Sequence, residues 1–520
     1  MDDFTPQTPS VLEAPVYPYP QTAVQKKQWD FQPHDAVFAL LALLLGLLFA
    51  RYALLYADGF FTTGCFLLLY LVSAVYIRKS GYKPRPVQHV LGAVICAFTL
   101  VFSLSASPML HGLCFVFLTA AIVWRTHAVC GGKGFVTRFF PIDLADSLLA
   151  KPFSHFTAAP HAVAAPMKKN SAATAVKTIV IGLLVTIPLT IAVAALLASA
   201  DSAIADMFDF LSDLPAVDTI RFFWQIVFGI PLGMWLFGML YSAAKRRDMP
   251  FPEDADYAEK LSGLRVIPNL GLYAGVTPIC LLYLLYVFTQ TNYFLSAFAG
   301  RLPEGMLYSE YARRGFFELC AIAVINLIVI LVLTGCAKKG GENRTKALTF
   351  YAVLLCGFTL FIIATALAKM VLYIRAYGMT QLRVYTTWFM VLLAAVFLIL
   401  LVRQFAAKLP TAAILSGVFI VLFAGLCFGR PDAMIAEYNL SRCAAGTLQN
   451  PDLNMLCGLS EDAYIVIARY QDMLERAGIW DDYYSKAEDK VKVDYISDKD
   501  RSWNLPAQIL IQQIHTDTTR

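Results

Sequence analysis

Ionisable side chains next to or inside long apolar runs are costly to keep there, so they are the first place to look for chemistry. Two groups qualify. The stretch Glu310-Tyr311-Ala312-Arg313-Arg314-Gly315-Phe316-Phe317-Glu318 leads into an apolar run at 316–336. On a helix Glu310, Arg314 and Glu318 follow one another four residues apart, so they share a face and neutralise each other. The second group is Lys369, Tyr373, Arg375, Tyr377, Gly378, Gln381, Arg383 and Tyr385, at the turn between two further apolar runs. Lys369 lies well inside one of those runs, and an ammonium there needs a carboxylate or carbonyl partner. Glu318 is the acid we nominate. Glu310, Arg313, Arg314, Glu318, Lys369, Arg375 and Arg383 thus form a candidate ligand or ion-pair cluster. Such a set can carry a ligand or ion, as in secondary transporters. It can equally lock neighbouring helices together, and Arg and Tyr at helix ends are ordinary interface anchors.

Nothing else in the chain has the spacing of a catalytic or metal centre. The seven histidines form no HxxxH or HExxH, and the eleven cysteines include no CxxC. Cys130-Gly131-Gly132-Lys133-Gly134 lacks the spacing of a phosphate loop and reads as a turn. Asp201, Asp206, Asp209, Asp213 and Asp218 alternate with apolar residues as on a surface helix, and match no calcium-loop pattern. No catalytic residue, metal ligand or cofactor is therefore assigned. Cys443 and Cys457 flank a polar turn and would make a structural disulfide if that turn faces an oxidising compartment.

The elements that must position these residues follow from composition. Of 520 residues 58% are apolar and 15% charged, against about 25% charged in soluble domains. Mean hydropathy is +0.60. The charge is unevenly divided: residues 1–429 hold 32 Lys+Arg and 22 Asp+Glu, and 430–520 hold 10 and 15. A basic apolar part is followed by an acidic tail. A secreted enzyme, a nucleic-acid-binding domain and a disulfide miniprotein are excluded.

Crossing about 30 Å of hydrocarbon takes roughly 20 apolar residues in a helix. About eleven runs meet that demand: 36–57, 60–77, 89–105, 107–124, 178–199, 222–243, 269–290, 316–336, 347–373, 384–402 and 411–428. The pair meeting at Pro108 reads as a hairpin. Fold class is thus an all-α polytopic integral membrane protein, in three parts: a Pro-rich disordered arm over 1–33, a helical bundle over 34–429, and a small, mainly helical soluble tail over 430–520. Eleven spans place 24 of the first part's cations on the arm's side and 8 on the other, counting Arg51 and Lys369 with the loops they border. Positive residues stay cytoplasmic, so the N-terminus is expected inside and the tail outside. Gln225 and Asn326 should hydrogen-bond between helices, Pro188, Pro231 and Pro278 should kink theirs, and 134–153 should dock on the bundle or its inner leaflet. In the tail, 432–446 and 460–477 read as helices, the second capped by Ser460. The tail would cap the outer mouth of the bundle or meet a membrane or periplasmic protein partner.

Several of these runs also resemble a known family. Ser309–Leu319, Tyr373-Ile374-Arg375-Ala376-Tyr377-Gly378-Met379-Thr380-Gln381-Leu382-Arg383, Pro431-Asp432-Ala433-Met434-Ile435-Ala436-Glu437-Tyr438-Asn439-Leu440 and Leu459-Ser460-Glu461-Asp462-Ala463 occur in that order. They resemble an uncharacterised family of polytopic bacterial inner-membrane proteins classed as a domain of unknown function. The chain departs from it at Arg430-Pro431-Asp432, where an Asn-Val-Asp type start is usual. The resemblance implies a bacterial cytoplasmic membrane and a shared outer-face cluster, and it implies no activity.

Three functions remain in view. The first is an integral membrane protein with no enzymatic centre. The second is a transporter or ion-coupled carrier built on the charged cluster. The third is a membrane-embedded transferase for lipid-linked substrates, for which the first outer loop offers only Asp58 as a base.

Overall fold

A computed structural model describes residues 29–55, 59–165, 216–245, 268–289, 316–335, 346–406, 408–448, 452–491 and 504–518, with isolated positions between 190 and 263. Among these residues the protein is helical throughout. Nine helices are long and apolar enough to cross a membrane, and a shorter apolar one covers Ala321–Gly335. Apart from Thr190 and Val193 the run at 178–199 lies outside the described residues, as does the acidic loop up to 215.

The first half begins with α1 (Asp35–Phe49), whose last turns widen into a π-helical segment, Ala50–Leu55. Next come α2 (Gly59–Lys79) and the hairpin of α3 (Pro86–Leu104) and α4 (Pro108–Cys130). The turn Ser105–Ser107 is short because Pro108 starts α4 at once, its missing N–H costing nothing at a helix N-terminus. Helix α5 (Ala216–Ala244) contains Pro231 and crosses α1. That crossing is close. A Cβ on Gly233 would stand 2.6 Å from the Cα of Leu43, and one on Gly229 would stand 2.8 Å from the Cα of Leu47. Only glycine allows two backbones to approach in this way, as small-residue motifs do between membrane helices. Gln225 adds a hydrogen bond from Nε2 to Leu47 O (3.2 Å).

The segment expected to dock does so: the short helix Phe140–Ala145 packs on α4 and Lys151–Ser154 on α5, and beyond it Ala158–Ala164 packs on both α1 and α5. The end of the arm, from Trp29, packs on the bundle. Trp29 stacks on Phe31 with 5.6 Å between ring centroids, and Trp29 also meets His161 (5.4 Å) and Tyr241 (5.8 Å). Lys245 Nζ lies 2.7 Å from Asp30. Aromatic rings offset the loss of chain freedom here, which a Pro-rich composition does not reveal.

A second core joins α6 (Asn269–Thr289), α7 (Phe316–Gly335), α8 (Lys346–Tyr377) and α9 (Gln381–Phe405). Asn326, fully buried, accepts from Tyr283 OH (2.7 Å) and donates to Thr359 Oγ1 (2.8 Å). Amide and hydroxyls satisfy one another where lipid offers no partner. Helix α10 (Thr411–Phe428) returns to the first core: Phe423 stacks on Phe98 at 5.3 Å. Trp388 Nε1 of α9 donates to Leu422 O of α10 (2.8 Å), joining the two halves.

The tail comprises α11 (Pro431–Ala444), α12 (Leu453–Cys457), α13 (Tyr464–Ala468), α14 (Gln471–Arg476), α15 (Trp480–Val491) and α16 (Leu505–Thr518). The helix expected over 460–477 is broken: Glu461–Ala463 form a 3-10 turn, and the chain bends again at Arg469-Tyr470. The break lets Leu459, Ala463, Ile467 and Leu474 all turn inward, onto Ile435 and Leu440 of α11. The two cysteines of the expected bridge, Cys443 and Cys457, are both half-buried. Cys457 packs against the apolar core of the tail, and Cys443 lies in the last turn of α11.

Candidate functional site

The tail sits on the end of the bundle where the α3–α4 turn, the α8–α9 turn and the C-terminus of α10 come together. Its foot is built from buried polar groups. Asp432 and Asp462 are 0% and 1% exposed, which carboxylates tolerate only when paired and hydrogen-bonded. Both are. Asp462 Oδ2 accepts from Ser105 Oγ (2.6 Å), from Ala106 N (3.0 Å) and from Ser460 Oγ (3.3 Å). Its other oxygen faces Arg430 Nε at 3.7 Å, and Arg430 Nη2 donates to Asp462 O (3.2 Å). Asp432 accepts from Gln381 Nε2 at 3.0 and 3.1 Å, one bond to each oxygen, and from Ser460 N (3.1 Å). Ser460 therefore links the two carboxylates.

The turns beneath are shaped to meet them. His111 Nε2 donates to Ser105 O (2.8 Å), which fixes both the tautomer of the ring and the bend of the turn. Ser107 Oγ lies 3.3 Å from Tyr385 OH, so the first hairpin also touches α9. In the α8–α9 turn, Asn439 of α11 pairs with one residue's backbone. Its Oδ1 accepts from Met379 N (2.7 Å), and its Nδ2 donates to Met379 O (2.8 Å). Gly378, at φ +79, lets the chain pass: a Cβ there would lie 2.5 Å from Asn439 Oδ1. Gly378→Ala should therefore destabilise twice over, through the left-handed backbone and through the lost amide pair. We expect a loss of about 2–3 kcal/mol, seen as a lower unfolding temperature and faster proteolysis of the tail.

Of the seven residues in the expected cluster, three have described side chains. Arg383 is fixed within its own turn: Nη1 donates to Tyr377 O (3.2 Å) and Gly378 O, and the guanidinium lies 3.8 Å from the Tyr373 ring centre. This is a structural cation–π clamp. Arg375 contributes its carbonyl, which accepts from Arg442 Nη1 of the tail (2.7 Å). Lys369 is buried in α8 at 7% exposure, away from the junction. Glu310, Arg313 and Arg314 lie outside the described residues, as do Asp58 and the side chain of Glu318, so the nominated Lys369–Glu318 pair does too.

By its position in the sequence, Asp462 stands in the first turn of the helix expected over 460–477. In the fold it binds a turn more than 350 positions away. No local signal could reveal that. Arg430 is a second surprise, at φ 48 in the left-handed region. Asparagine tolerates that conformation better than arginine, which suits the Asn-Val-Asp start of the resembled family. Here arginine keeps the strained backbone and adds the contact to Asp462. Among the described residues no group of three or more His, Cys, Asp or Glu could hold a metal ion. In the tail above, a small cavity of about 50 Å³ is lined by Cys457, Ser460, Glu461, Tyr464, Tyr483 and Lys486, among others.

A family model described as "Domain of unknown function (DUF4153)" matches residues 92–470. That is well over half of the chain, and the chain belongs to this family. The matched stretch holds every residue of the junction, from Ser105 to Asp462. No curated protein and no solved structure matches the chain.

Proposed function

We propose that this member of the family, an integral membrane protein, uses the junction as a mount and not as an enzymatic centre. Its buried polar groups hold the tail rigidly at one end of the bundle, where the tail presents itself to a membrane or extracytoplasmic protein partner. The observation that carries this is how the junction's groups are engaged. Asp432, Asp462, Asn439 and Gln381 each bind backbone or side chain of a neighbouring segment, and Arg383 braces the α8–α9 turn they meet. The setting that goes with it is a bacterial cytoplasmic membrane, with the arm in the cytosol and the tail outside, following the distribution of Lys and Arg. Reporters fused after Arg520 test the orientation: activity is expected from one that works only outside the cytosol. Function is tested by comparing a tail deletion with Asp432→Asn and Asn439→Ala. The mount predicts that all three share one phenotype while the bundle stays folded. A phenotype for the deletion alone would show that fixing the tail is not what matters.

A carrier is the second reading, and Lys369 favours it. Its ammonium is buried in α8, nearly three turns beyond Thr359 in the Tyr283–Asn326–Thr359 hydrogen-bonded chain. Ionisable groups at such depth mark ion and proton routes. Under this reading Lys369→Met should abolish function, scored as the metabolite and lipid profile of a complemented deletion strain, with the amount of folded protein unchanged. Equal loss of both returns Lys369 to packing.

A further inference from the structure

At the end of the bundle away from the tail, one cation has an environment that neither reading explains. Arg125, near the C-terminus of α4, is 4% exposed. Its Nε donates to Gln88 O (3.1 Å), and its guanidinium carbon lies 4.8 Å from the centre of the Tyr70 ring. It points into the crevice between α2 and α3, where Gly92 leaves room for the Tyr70 hydroxyl. A second cation, Arg78 in the last turn of α2, lies near enough for its charge to be felt there. Among the described residues no carboxylate makes a salt bridge to either. A buried guanidinium without an anion, beside a like charge, is unfavourable.

The surroundings add positive charge. Gln88, 2% exposed, accepts from Arg85 N through Oε1 (2.6 Å) and donates to Lys133 O through Nε2 (2.8 Å). A Cβ at Gly132 would stand 4.0 Å from Arg85 Nη2, so the Arg85 side chain reaches over the same turn. Arg125 and Arg78 thus come from α4 and α2, and Arg85 and Lys133 stand on the two loops that Gln88 ties together. An arginine offers a planar fork matched to phosphate oxygens, and basic crevices between spans take lipid headgroups.

We propose that Arg125 and Arg78 hold the phosphate of an anionic phospholipid from the surrounding bilayer, its headgroup ringed by Arg85 and Lys133 and its chains running along α2 and α3. The membrane supplies the occupant: the crevice opens where headgroups lie. The assignment depends on the spans alone, so it stands whichever way the tail faces.

The test uses the full chain, extracted in mild detergent and analysed by native mass spectrometry and thermal unfolding. Wild type should retain a phosphatidylglycerol or cardiolipin adduct through delipidation and should unfold at higher temperature with added phosphatidylglycerol than with phosphatidylcholine. Arg78→Gln, at an exposed position, should leave the fold intact and lower retention at least tenfold. Arg125→Gln should abolish it. Lys79→Gln, also in the last turn of α2 but outside the crevice contacts described, should have little effect. The proposal is overturned if phosphatidylcholine is retained equally, if Arg78→Gln and Lys79→Gln behave alike, or if inorganic phosphate gives the full thermal shift without lipid.

Discussion

Gly233→Leu is expected to remove most of the folded protein from the membrane. At Gly233 the backbones of α1 and α5 all but touch: a Cβ would be 2.6 Å from Leu43 Cα and 2.9 Å from Ala42 O, both backbone atoms that no side-chain rotation can move. A leucine therefore has to force the helices apart. Overpacking a tight core costs about 1–3 kcal/mol where side chains can yield, and here they cannot, so we expect the upper end or beyond. Separation would also break the Gln225–Leu47 bond and loosen the short helix Ala158–Ala164, whose alanines are buried against the same pair. Gly275→Ala is the comparison. It lies in α6 with open space around its Cβ position, and there alanine should stabilise slightly by improving helix propensity. The measurement is the yield and thermal stability of monodisperse protein in detergent. Wild-type yield from Gly233→Leu would mean that the crossing is looser than described.

The second large effect is expected from Asp462→Ala. The change removes the acceptor for Ser105 Oγ and Ala106 N and leaves Arg430, held in a left-handed conformation, without its carboxylate. Breaking a buried charged pair by deleting one partner costs about 3–5 kcal/mol. Arg430 is partly exposed, and solvent screens its share, so about 2–3 kcal/mol is expected, most of it from the orphaned hairpin turn. Because Asp462 joins tail to bundle, the loss should be local. Hydrogen exchange should rise over Ser105–Ser107 and Leu459–Ala463, while α6, α7 and α8 keep their protection. Asp462→Asn should do less harm, since its amide oxygen can still accept from the turn. If exchange rises uniformly across the chain, the tail and the bundle are one cooperative unit and the mount is not a separate element.

The spans were legible because lipid imposes length and composition on every helix that crosses it. Gln225 and Asn326 were legible too, as amides in apolar helices must find partners. The close crossing had a readable sign in Gly229-x-x-x-Gly233, but the facing Gly46 could not be matched to it without the fold. Arg375 and Arg383 read from sequence as part of a ligand or ion-pair cluster; in the fold Arg383 bonds its own turn and the Arg375 carbonyl accepts from the tail. The residues that do connect segments, Asp432, Asn439 and Asp462, carried no local signal of it. They stood inside the runs shared with the resembled family, and the three runs 373–383, 431–440 and 459–463 meet in space.

The place of α10 bears on how the chain is made. It is the last of the described spans to leave the ribosome, yet Phe423 belongs with Phe98 and Phe117 of the first hairpin. Some 300 residues of synthesis separate these partners, and for that time the flank of α3 and α4 stands open to lipid or to an insertase. A nascent chain stopped before Thr411 therefore displays an unfinished aromatic seam, a mark by which membrane proteases could tell an incomplete product from a finished one.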